Sequence, residues 1–175
     1  SVSTYDRLQS HIMIERLMVL ANNAVATKLS SVLERAIYRH HPSLADDALD
    51  KLSSIADNIG LGKVKDPADF LSRIHEIADS DYYQMMLMRL LPQAFYSTDA
   101  TSHFGLGLEA YTHFTSPIRR YPDLIVHRLI LSTEGIDKSP MPSRKLLVSQ
   151  ARYTSRQERL ADQAGYVALD WYKCE

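Results

Sequence analysis

Along most of the chain, apolar residues recur three or four positions apart, a spacing that gathers them on one face of a helix and would scatter them over both faces of a strand. From about Tyr5 to Leu33 the line is Ile14, Leu17, Met18, Ala21, Val25 and Leu29, with Glu15, Asn22 and Asn23 off it. From about Ser143 to Tyr172 it is Tyr153, Leu160, Ala164, Val167 and Trp171. Three shorter helices are expected between them. The first carries Leu44, Ala48, Leu52 and Ile55 behind a Ser43 cap and ends at Asn58 to Gly62; the second follows Asp66-Pro67 with Phe70, Leu71, Ile74 and Ile77 inward. The third starts near Ser80 with Tyr83, Met86, Leu87, Leu90 and Leu91, and Pro92 stops it. The fold class is therefore mainly α, long helices with a few short strands.

The strands fall in the gaps. Ala36 to His41 reads as an extended segment or an edge strand stopped by Pro42, and Gln93 to Tyr96 and Gly105 to Tyr111 read as extended. Gly105 and Gly107 would mark a close approach of another backbone or a ligand. At 175 residues, 45% hydrophobic and 23% charged, the composition suits one packed domain. The lone Cys174 has no internal disulfide partner, and no apolar run reaches membrane-spanning length, so a cytoplasmic protein without a membrane contact is expected. The chain opens at Ser1, without Met, almost directly in a helical pattern, and is read as a piece of a longer protein.

A net charge of −1 is not the bulk footprint of a nucleic-acid binder. Charge is unevenly placed, however: Ser43 to Asp81 holds nine acids and four bases and would repel a polyanion. Such a ligand must meet His103 to Arg128, HFGLGLEAYTHFTSPIRRYPDLIVHR, with Arg144, Lys145, Arg152, Arg156 and Arg159 as further basic positions.

Within that stretch, Thr115 or Ser116 is expected to cap a helix whose first residue is Pro117. The N–H groups of Ile118 and Arg119 would then face an anion at the helix start, and the forks of Arg119 and Arg120 can each grip two oxygens of one phosphate. Tyr121 precedes Pro122 and is biased from helical angles, so a kink is expected before the helix resumes at Asp123 and runs to near Gly135. Tyr111 and Phe114 either stack on a base or pack in the core. His103, His113 and His127 are too widely spaced for a compact zinc site, and Asp46-Asp47 sits in an amphipathic helical pattern, so no metal ligand is assigned within the chain.

These residues are similar to the signature of the ribonuclease II and ribonuclease R family, the RNB-domain exoribonucleases. The likeness continues in MIERLMVLANNAVA near the start, IYRHH at Ile37 to His41 and the LDWYKC ending, and Tyr121-Pro122-Asp123 looks more like ribonuclease R than ribonuclease II. It implies that residues 1–175 are the C-terminal part of an α/β RNB catalytic domain. It also implies a processive enzyme that threads single-stranded RNA and removes nucleoside 5′-monophosphates from the 3′ end, assisted by Mg²⁺ held on upstream aspartates. The expected partners are RNA and the rest of the same enzyme, namely the upstream RNB part and the cold-shock and S1 domains.

Residue by residue, the resemblance puts Arg119 at the scissile phosphate and Glu15 beside the 3′-terminal nucleotide, the two catalytic assignments. Arg120, Thr115, Ser116, Tyr111, His113 and Arg128 complete the RNA-binding set. Two positions depart from the pattern: Arg16 stands where a second acid is common, and Gly165-Tyr166 where an acid or polar residue followed by Arg is common. The second puts a site role for the last helix in doubt. Two other classes remain, an RNA-binding module without catalysis and a helical interaction domain derived from the nuclease.

Overall fold

A computed structural model describes residues 8–74 and 80–174. The expected inward Ile77 and the start of the first helix at Tyr5 lie outside the described residues. The elements run α1 (Gln9–Val32), β1 (Tyr38–His40), α2 (Asp46–Asn58), α3 (Pro67–Ile74), α4 (Ser80–Leu90), β2 (Phe95–Ser97), a 3-10 turn (Phe104–Leu106), α5 (Tyr121–Thr133) and α6 (Arg144–Cys174). Mainly helical structure with short strands is thus what the spacing produces. No helix among the described residues is long and apolar enough to cross a membrane.

The chain forms two compact units, residues 1–40 with 94–175, and residues 41–93. In the second, Leu52 and Ala56 of α2, Phe70 and Ile74 of α3, and Leu87 of α4 make a separate buried cluster. Asp66 caps α3, its Oδ1 accepting from the N–H of Asp69 at 2.8 Å. His41 Nε2 lies 2.8 Å from the carbonyl of Pro92.

In the larger unit β1 and β2 pair antiparallel, Tyr38 against Ser97, Arg39 against Tyr96 and His40 against Phe95. The core gathers Ala26 and Leu29 of α1, Ala36 to Tyr38, Tyr96, Ile125, Val126 and Leu129 of α5, and Leu147 and Ala151 of α6. Gly135, at φ 69°, closes α5: its N–H donates to Ser132 and that of Ile136 to Leu131, a paired C-terminal motif that favours glycine.

Three expectations are overturned, two of them about helix faces. On α1, Ile14 and Leu17 are 51% and 54% exposed, while Asn22, read as off the stripe, is buried. On α6, Tyr153, Leu160, Val167 and Trp171 are all exposed, and the buried line is Leu147, Ala151, Thr154 and Ser155. Apolar spacing finds a helix but cannot say which stripe meets this core, and in α6 the buried line is partly polar because Ser155 Oγ accepts the N–H of Tyr96 at 2.9 Å. Thirdly, Gly105 to Tyr111 is not a strand. The chain reverses through the 3-10 turn, with His103 bridging Leu108. Gly107 supplies a φ of 64° there, and nothing lies within 4 Å of where its Cβ would be, so the left-handed turn and not a close approach explains the residue.

Candidate nucleic-acid interface

The loop between Tyr111 and Arg120 is held from several sides. Asn22 of α1 does most of it: its Nδ2 donates to Tyr111 Oη at 2.9 Å, and its Oδ1 accepts from the N–H of Phe114 at 3.0 Å and of Thr115 at 3.2 Å. Asparagine inside a helix is disfavoured unless a partner uses its amide, and here three backbone and side-chain groups do. The hydroxyl of Thr112 donates to the carbonyl of Ile37 at 2.6 Å, and Phe114 stacks on the ring of His127 with centroids 4.1 Å apart. A His127 ring nitrogen also lies 3.0 Å from the Phe114 carbonyl.

The helix expected from Pro117 is a turn instead. The carbonyl of Ser116 accepts from the N–H groups of Arg119 and Arg120, at 3.3 and 3.1 Å, and α5 starts only at Tyr121. Pro122 explains the shift: with no N–H to give to a carbonyl four residues back it could not continue a helix from 117, whereas in the first turn of one beginning at Tyr121 none is needed. Thr115 is no cap either, since its Oγ1 is buried without a hydrogen-bond partner. The group that organises the turn is Asp123, fully buried, whose Oδ1 accepts from the Ser116 N–H at 2.7 Å and from Arg120 Nη2 at 2.8 Å.

Arg120 therefore turns inward on an ion pair and does not offer a free fork to a phosphate. Arg119 differs. It is exposed, and among the described residues its guanidinium has no ion pair or hydrogen bond. Both arginines line a hollow of about 520 Å³ with Tyr96, Tyr121, Pro122, Tyr153, Thr154, Gln157, Glu158, Ala161 and Asp162. Of the two acids that line it, Glu158 is already satisfied, because its Oε2 accepts from Arg39 Nη1 at 2.5 Å, and Asp162 is exposed. Arg39 in turn sits 4.7 Å from the centre of the Tyr96 ring. The unpaired positive group of this hollow is Arg119.

Other expected RNA contacts are placed less directly. Tyr111 is 6% exposed and takes the core position of the two open to it, so its ring is not presented to a base. His113 lies with Nδ1 2.8 Å from Tyr96 Oη. Burial, then the neighbouring Arg120, Arg39, His103 and Arg119, lowers its pKa to about 3, so the ring is neutral and gives a phosphate no charge. Burial likewise raises Tyr96 to about 12. Arg128 is exposed but lines a different hollow, with Tyr121, Ser132, Asp137 and Ser139. The carboxyl of Asp137 there is held below its usual range by hydrogen bonds from Ser139, Arg128 adding to the effect. Glu15 is exposed on α1. It precedes Asn22 by seven residues, so it lies about 10 Å up the same side of the helix, the side that meets the Tyr111 loop.

The state of His113 has a consequence in acid. Its folded pKa lies below that of an unfolded imidazole, so the unfolded chain takes up the proton first and stability falls as pH drops from about 6.5 towards 3. Across that window this ring contributes a slope of at most about 1.4 kcal/mol per pH unit, and His113→Gln should lower the total slope by that contribution in denaturant melts. Equal slopes in parent and variant would mean that the ring is not shielded.

Sequence reasoning missed Asn22, Tyr96 and Tyr153. The Asn22-Asn23 pair in mid-helix was the available signal for the first. The spacing misplaced Tyr153 on the inward line of the last helix, and Tyr96 was read only as the end of an extended segment. Among the described residues no three His, Cys, Asp or Glu side chains come together as a metal site. Asp123 Oδ2 is buried without a partner but stands alone.

In this mainly helical unit the hollow is lined by Tyr96, Tyr121 and Tyr153 and holds one guanidinium without an ion pair, a geometry that suits an anion. The RNB domain family matches residues 1–134. Ribonuclease R of Buchnera aphidicola (subspecies Schizaphis graminum) is 35% identical over 186 residues, covering 100% of this chain and 26% of its own length. Ribonuclease R of Escherichia coli K12 is 33% identical over 186 residues, covering 97% and 23%. The chain thus spans about a quarter of these curated relatives. Among solved structures, Mycoplasma genitalium RNase R in complex with ribose-methylated single-stranded RNA matches 95% of this chain and 28% of its own, with a TM-score of 0.86 and 29% identity. Yeast Ssd1, a pseudonuclease, matches 85% of this chain and 20% of its own, with a TM-score of 0.74 and 25% identity. The chain belongs to the RNB-domain family.

Proposed function

We propose that residues 1–175 are the C-terminal part of the catalytic domain of a cytoplasmic 3′→5′ exoribonuclease, which hydrolyses single-stranded RNA processively to nucleoside 5′-monophosphates. The observation that carries the reading is the contrast between two adjacent arginines. Arg120 is spent on Asp123, and that pair fixes the turn from which Arg119 reaches the hollow without an ion pair. A fork so placed can offset charge gathering on the non-bridging oxygens of a phosphate under attack. Glu15, on the side of α1 that supports the same loop, would position the terminal nucleotide.

In this reading Mg²⁺ supplies the activated water and a clamp on the phosphate, held by aspartates outside these 175 residues. The share of this chain is then to bind, orient and neutralise. Cold-shock and S1 domains and the upstream RNB part complete the RNA path in the same reading. The relationship to Ssd1, described as a pseudonuclease, favours one second reading, in which the same fold grips RNA without cutting it.

The two are separated by incubating the full-length protein with a 5′-labelled single-stranded RNA. An exonuclease shortens the labelled strand from its 3′ end and releases nucleoside 5′-monophosphates, and a chelator abolishes both. Tight binding with the RNA intact would establish the gripping module instead.

A further inference from the structure

Three hollows meet at Tyr121. One is the space that holds Arg119. The second, about 390 Å³, is lined by Tyr121, Ser149, Gln150 and Tyr153. The third, about 450 Å³, leads between α5 and α6 to Arg128. Tyr121 and Tyr153 are 46% and 63% exposed, so each offers ring surface in the same groove as the unpaired fork. Gln150 Nε2 donates to Tyr121 Oη at 3.3 Å, which steadies that ring.

We infer that this groove between α5 and α6 is a nucleoside subsite: the base next to the phosphate on Arg119 stacks on Tyr153, and Gln157 meets its polar edge. The inference rests on the exoribonuclease reading and adds to it a helix, α6, that the departure at Gly165-Tyr166 had left without a role. Single-strand sites pair a cation, which tracks the backbone, with aromatic faces that accept any base. Both components are present within one hollow. Of the two acids around it, Glu158 is neutralised by Arg39, and Asp162 is exposed at the rim, where it can accept from an exocyclic amino group. An amide at Gln157 can donate and accept, which suits a site that must pass every base.

The test uses the full-length protein in chelator, so that no strand is cut, with fluorescence anisotropy of labelled oligoadenylate and of an abasic ribose-phosphate polymer of equal length. Tyr153→Ala is expected to weaken oligoadenylate about tenfold, the loss of one base–ring stack, and to leave the abasic polymer unchanged. Tyr153→Phe should restore the parent affinity, since the ring and not the hydroxyl is used. Equal losses for both polymers, or no loss for either, would overturn the subsite. So would unchanged RNA affinity combined with a lower melting temperature, because the ring would then be packed against protein. Arg119→Ala is the separate control, read as single-turnover cleavage with metal restored: if cleavage is unchanged, the exoribonuclease reading of Arg119 fails whichever way Tyr153 behaves in the binding assay.

Discussion

Replacing Arg119 by lysine in the full-length protein is expected to lower kcat by about 100-fold or more while changing the affinity for single-stranded RNA by less than about threefold. Lysine keeps the charge, so the sequence-independent attraction to the backbone survives. What it loses is the planar fork, which can hold two oxygens of one phosphate as charge builds on them. A loss confined to kcat marks an interaction made only in the transition state, and single-turnover kinetics with saturating enzyme reads it without interference from product release. If affinity and turnover fell together, Arg119 would be a gripping residue. If neither moved, the unpaired guanidinium would have no part in the chemistry. The same substitution at position 120 should behave differently, because its partner is Asp123 and not the substrate.

Asp123→Ala carries the second large effect, a destabilisation of about 3 to 5 kcal/mol. The carboxylate is fully buried and binds both the Ser116 N–H and Arg120. Removing it leaves a part-buried guanidinium and a backbone donor without partners, and leaving such groups unpaired costs more than the pair itself contributes. Asp123→Asn keeps an oxygen for the Ser116 N–H and should fall between parent and alanine. Hydrogen exchange of the Ser116 and α5 amides reads the effect locally, without assuming that the whole protein unfolds in one step. Exchange rates unchanged in both variants would mean that Asp123 does not hold the turn. With the turn loosened, Arg119 should lose its place too, so activity should fall more steeply than RNA binding.

The helices were legible because their evidence is local. Three-and-four spacing, Asp66 before Pro67, Pro92 after the third short helix and Gly135 after α5 each act within a few residues. Faces were not legible in the same way. Whether Ile14 or Asn22 of α1 points inward depends on Tyr111, Phe114 and Thr115, about ninety positions away, and no periodicity carries that information. The site was half legible. The motif brought Arg119 forward and the structure leaves it unpaired, but the division of labour between Arg119 and Arg120 is decided by one aspartate three residues on. The shift of the helix start from Pro117 to Tyr121 was written in the missing N–H of Pro122. Tyr153 looked like core because its spacing fits a stripe, and only the position of β2 on the other side of α6 shows which stripe is used.

The pairing of His40 with Phe95 has a consequence for how this architecture can vary. The last residue of one strand lies opposite the first of the next, so residues 41–93 leave and re-enter at a single point, as the loop of a hairpin does. A tight two-residue link could join the same ends. The acidic helices of that part, with their own core, thus behave as an insertion, free to be enlarged, trimmed or exchanged among descendants without re-registering the ladder beneath Arg39 and Tyr96.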